Sequence, residues 1–94
     1  MQRKVLRVKG RRIVLKDNTT IENGEAGFSD GFLWLWFDGY TLQQVALMFF
    51  DATKTDRIAF QYGEMEDVYE GFTTCRTLMT DASGRVSVCM TKGE

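Results

Sequence analysis

Histidine is missing from this chain of 94 residues, and its absence excludes more than any residue present. Without it the chain lacks the commonest general base and the commonest metal ligand. Cysteine is scarce, with Cys75 and Cys89 as the only two and no C-x-x-C between them. Two such thiols in a chain without a secretory leader are expected reduced rather than paired into a disulfide framework. No apolar run approaches the roughly eighteen residues of a membrane helix. The N-terminus runs straight into charge without the apolar core of a signal peptide. A cytoplasmic, soluble protein without a membrane partner is the expectation. Gly-x-Gly and P-loop patterns are also missing, and no cofactor or metal is expected.

Acid is missing from one segment. The first 16 residues hold Arg3, Lys4, Arg7, Lys9, Arg11, Arg12 and Lys16 and no carboxylate. The remaining 78 residues carry five cations and thirteen acids, which leaves the net charge of −1. Such asymmetry points to an electrostatic partner for the basic end, either nucleic acid or the acidic face of another copy.

What the chain does hold is an aromatic centre. Both tryptophans and four of the seven phenylalanines fall within residues 32–50. Residues 32–37 read Phe-Leu-Trp-Leu-Trp-Phe, a strand whose two faces are both apolar. A strand with one wet face would alternate with polar residues, so cover is expected on both sides. Asp38-Gly39 turns the chain. Thr41 with Gln44 then forms a T-x-x-Q capping box for a helix. Leu42, Val45, Ala46 and Phe49 make one stripe toward the sheet. Leu47, Met48 and Phe50 lie off that stripe, where a surface helix would show charge.

Around this centre the chain reads as strands. Residues 5–9 and 12–16 are expected to pair as a first hairpin through Lys9-Gly10-Arg11, with a turn at Asp17-Asn18 and a short strand over 19–22. Residues 23–31 read as a surface loop. Residues 57–62 alternate, with Ile58, Phe60 and Tyr62 on one face. After a turn at 63–67, a strand starts at Val68 and is expected to run on to Met79 with a bulge at Gly71. Asp81 to Gly84 fits a type I turn with Gly84 left-handed. That closure sets Leu78 opposite Val88 and Arg76 opposite Met90. The count is six to eight strands and one helix over about residues 41–51. The expected class is α+β with β dominant, a single domain over 1–94 built as a small antiparallel barrel or two-layer roll.

From Thr41 onward the chain resembles small phage- and prophage-encoded proteins of Gram-positive bacteria. The residues that carry the resemblance are the capped helix Thr41-Leu-Gln-Gln-Val-Ala-Leu-Met-Phe-Phe50, the link Asp51-Ala-Thr-Lys-Thr55, the segment Tyr69-Glu-Gly-Phe-Thr73, and the closing hairpin Asp81-Ala-Ser-Gly-Arg-Val-Ser-Val88. It covers residues 41–94 and implies a virion- or tail-associated module without assigned chemistry, so no catalytic residue is carried over.

Each candidate site has a plain alternative. Trp34 and Trp36 share a strand face, where they serve as core, as a protein interface, or as a platform for sugars or bases. The basic residues Arg3, Lys4, Arg7, Arg11 and Arg12 would grip phosphates or simply blunt a strand edge. Glu64, Glu66, Asp67 and Glu70 cluster without calcium-loop spacing and read as a solvated turn, or as the receiver of a neighbour's basic hairpin. Cys75 and Cys89 have no histidine to make a nucleophile. The expectation is a non-enzymatic structural module that self-associates or docks into a larger complex through Trp34, Trp36, Leu47, Met48 and Phe50. Apolar surface in excess of what one small sheet covers marks an interface. A nucleic-acid-binding accessory protein and a small ligand- or carbohydrate-binding domain are the alternatives.

Overall fold

The aromatic strand lies inside a five-stranded antiparallel sheet, hydrogen-bonded on both sides. The computed structural model describes the backbone of residues 8–9 and the whole of residues 12–22 and 24–93. Nine strands and two helices follow one another there: β1 (Val8–Lys9), β2 (Arg12–Val14), β3 (Thr20–Glu22), β4 (Glu25–Ser29), β5 (Phe32–Phe37), α1 (Leu42–Phe49), α2 (Ala52–Thr55), β6 (Arg57–Tyr62), β7 (Met65–Glu70), β8 (Thr74–Thr80) and β9 (Val86–Thr91). The five-stranded sheet has the order β1-β4-β5-β9-β8 and the four-stranded sheet β3-β2-β6-β7. The class is the expected β-dominant α+β, although the sheets do not close into a barrel.

One core joins the inner faces of both sheets. Leu33, Leu35 and Phe37 of β5 lie beside Val86, Val88 and Met90 of β9, and face Ile13, Ile21, Ile58 and Phe60 of the other sheet. Burying a side chain of this size contributes about 1.5–3 kcal/mol. Helix α1 adds Val45 and Phe49, with the Phe49 ring 5.4 Å from that of Phe37. The capping box forms: the Gln44 N–H donates to Thr41 Oγ1 at 3.1 Å and the Thr41 N–H to Gln44 Oε1 at 2.8 Å. Two of the four otherwise unpaired N–H groups at the helix start are thereby met.

Several expectations fail, each for a tertiary reason. The first hairpin does not form among its described residues, because β1 pairs with β4 while β2 pairs with β3 and β6; residues 5–7, 10 and 11 lie outside the described residues. Val8–Lys9 and Arg12–Val14 belong to different sheets, although local pattern suggests that they pair. Residues 23–31 are not a surface loop: β4 pairs with β5 from Glu25↔Trp36 to Ser29↔Phe32. Its glycine-rich sequence hides a strand whose Ala26 and Gly27 are buried. The helix does not simply end at Asp51, whose carboxylate accepts from the Thr53 N–H at 3.0 Å and starts α2. These bonds to Thr53 also hold the Asp51 carboxyl below its ordinary range. Salt bridges Lys54–Asp17 at 2.9 Å and Lys16–Asp56 at 3.1 Å tie α2 to the turn after β2.

Gly71 is not a bulge within one strand. With φ +81 it turns the chain from β7 in one sheet to β8 in the other. The bulge falls at Arg76, since Cys75 pairs with Met90 and Thr77 with Cys89. Arg76 therefore does not stand opposite Met90. The closing hairpin otherwise holds, with Leu78 opposite Val88, an Asp81 N–H to Arg85 carbonyl bond of 2.9 Å, and Gly84 at φ +87.

Candidate functional site

The period of two along β5 divides its six residues between two environments. Leu33, Leu35 and Phe37 are sealed in the core, whereas Phe32 is 41% exposed and Trp34 and Trp36 are half-buried on the outer face. The two indoles stack with centroids 6.3 Å apart and planes 13° from parallel. Across the sheet, Trp36 pairs with Ser87 and Trp34 with Cys89, and these pair in turn with Met79 and Thr77 on β8. Small side chains thus lie between the indole pair on one side and Met79, 49% exposed, on the other. Trp34, Trp36 and Met79 therefore present apolar surface on the outer face, with Ser87 and Cys89 buried between them.

At the margin of the same face, Arg85 reaches the Glu25 carboxylate at 2.9 Å and the Asp38 carboxylate at 3.3 Å. The Arg85 and Glu25 side chains are mostly buried, so this pair loses less to solvent than an exposed one. It joins the β8–β9 hairpin to the start of β4.

Helix α1 contributes a second apolar area. Leu47 is 70% exposed and Phe50 64%, while Met48 packs half-buried against the core. Of the five expected interface residues, Leu47 and Phe50 face solvent and Trp34, Trp36 and Met48 are divided between core and surface. Of the expected phosphate-binding cations, Arg12 is exposed, and Arg3, Lys4, Arg7 and Arg11 lie outside the described residues.

Of the remaining candidates, the two thiols are partly or fully buried and Glu66 and Asp67 hold hydrogen bonds. Burial pushes the Cys75 and Cys89 thiols up, away from the nucleophilic thiolate, and both are free. In the acidic group, Gln61 Nε2 donates to Glu66 at 2.9 Å and the Tyr62 hydroxyl to Asp67 at 3.0 Å. That hydroxyl bond raises the Tyr62 pKa. Among the described residues no group of three His, Cys, Asp or Glu is placed to hold a metal ion. No helix there is long and apolar enough to cross a membrane.

One feature escaped the sequence. Phe28, Tyr69 and Phe72 form a three-way aromatic contact with centroids 5.7–5.9 Å apart, and the Lys92 ammonium lies 5.8 Å from the Phe72 ring. With Val68 and Glu70 they line an open groove of about 340 Å³ where the two sheets meet. Phe28 belongs to the strand read as loop and Phe72 to the corner read as strand, so no periodic pattern linked them.

Two open antiparallel sheets sharing one core, with a capped helix beside them, define a small α+β fold. No protein-family model, curated protein or solved structure matches the chain.

Proposed function

We propose that the protein is a non-enzymatic assembly module that self-associates or docks into a larger protein complex through its outer apolar surface. The observation that carries this reading is the exposure of Phe32, Met79, Leu47 and Phe50 together with the half-buried Trp34–Trp36 stack. Single exposed apolar residues are ordinary, but an aromatic row on one sheet face marks an interface. The raised thiols and the engaged carboxylates support a role without chemistry of its own. The resemblance of residues 41–94 to phage-encoded modules supports a virion or tail setting. Light scattering on a sizing column tests the reading. A discrete multimer is expected at low and high salt, because apolar contacts persist when ions screen charge. A single species at the chain mass of 10.8 kDa at every concentration overturns self-association.

A further inference from the structure

Five methionines are present, and the four among the described residues lie in different surroundings. Met90 of β9 is sealed in the core, and Met48 of α1 packs half-buried against it. Met65 opens β7 in the four-stranded sheet and is 60% exposed. Met79 of β8 is 49% exposed and belongs to the five-stranded sheet. The period of two along β8 turns it outward. Leu78 pairs with Val88 of the core, while Met79 pairs with Ser87, and Ser87 in turn with Trp36. Ser87 lies buried between the two, only 8% exposed. Among the described residues, Met79 is therefore the one exposed methionine on the face that carries the tryptophans.

A thioether reacts with a peroxide without first ionising. A sulfur lone pair attacks one peroxide oxygen, and an S–O bond forms as the O–O bond breaks. The departing oxygen takes up the proton and leaves as water or an alcohol. Sulfur is oxidised by two electrons and the peroxide is reduced by two. The product, methionine sulfoxide, is polar where the thioether was apolar. Cys75 and Cys89 are poorer targets, because peroxides attack thiolates and burial raises both thiols. A sulfoxide oxygen accepts hydrogen bonds, so covering it without a donor carries a penalty that covering a thioether does not.

We propose that Met79 is an oxidation site that regulates association: a peroxide converts its thioether to the sulfoxide in a dissociated copy, and the oxidised face reassociates weakly. The proposal rests on the reading that copies associate through the outer face of the five-stranded sheet, and it names what controls that contact. Oxidation of Met65 leaves that face unaltered, since Met65 belongs to the other sheet. In the multimer the partner copy shields Met79, so its oxidation follows the dissociated fraction. The change is reversible, because methionine sulfoxide reductases return the sulfoxide to the thioether.

The test treats the full chain with hydrogen peroxide at concentrations above and below dissociation of the multimer. Peptide mass spectrometry follows oxygen gained at each methionine, and light scattering gives the molar mass once the peroxide is removed. Met79 should oxidise faster on dilution while the Met65 rate stays constant. Complete oxidation of Met79 should raise the dissociation constant about tenfold. Met79→Leu, which keeps volume and apolar character, should associate as the native chain does and withstand peroxide. Met65→Leu should dissociate on treatment as the native chain does. Met79→Gln should associate weakly without any oxidant. Met79 sulfoxide with unchanged association, a Met79 rate indifferent to concentration, or dissociation of Met79→Leu by peroxide overturns the proposal while self-association stands. A native monomer at every concentration refutes both.

Discussion

The two faces of β5 are built from similar residues and meet different fates. Leu33, Leu35 and Phe37 lie among side chains from β9, α1 and the opposite sheet. Phe32, Trp34 and Trp36 lie on a face where the small Ser87 and Cys89 are their neighbours across β9. Hydrophobicity alone does not distinguish the faces, since the outer one carries the larger rings. What distinguishes them is whether the fold supplies a second layer. Among the described residues it supplies one layer for one side, and the surplus on the other is what the proposed association would cover.

Substitutions can break or sharpen that comparison. Phe37→Ala should cost about 3–5 kcal/mol in chemical denaturation, because a fully buried ring leaves a cavity lined by Phe49 and Tyr40. Trp34→Ala on the outer face should cost only about 1–2 kcal/mol, since part of that ring is already in water. It should lower the apparent molar mass on a sizing column as well. Equal losses of stability from the two changes would erase the distinction between the faces. Gly71→Ala should cost about 1 kcal/mol, with open space for the methyl but a left-handed φ to bear. Leu47→Lys should change stability by no more than about 0.5 kcal/mol while weakening association.

The smallest effect concerns acid. Hydrogen bonds from the Ser83 side chain and the Arg85 N–H hold the Asp81 carboxyl below its ordinary value of 3.8, and Thr53 does the same for Asp51. A carboxyl with a depressed folded pKa contributes stability that is complete above its unfolded value and lost as pH falls through the folded one. Stability should therefore fall below about pH 4, the ordinary carboxylate range. An Asp81→Asn variant should show a shallower fall when thermal unfolding is followed by circular dichroism against pH.

The sequence carries the parts of the fold that local rules determine. Thr41 with Gln44 announces α1, and Asp81 to Gly84 announces the last hairpin and most of its register. Partner choice between sheets was not legible, because β1 and β2 satisfy a hairpin pattern equally well and only the shared core separates them. Gly24, Gly27 and Glu25 disguise β4, whose strand character comes from pairing with β5 rather than from propensity. Surface candidates follow the same division. Leu47 and Phe50 stand out as apolar positions off the helix stripe. The groove of Phe28, Tyr69 and Phe72 joins segments more than forty residues apart, from about 28 to 72, and no spacing rule connects them.

Tryptophan emission against protein concentration, with iodide as quencher, tests the outer face most directly, because both indoles of the chain lie there. On dilution through dissociation of the multimer, emission should shift to the red and quenching should rise, and Met79→Lys, on the same face, should move that transition to higher concentration. Emission and quenching that stay constant at every concentration, with one molar mass equal to a single chain, would contradict an interface on this face.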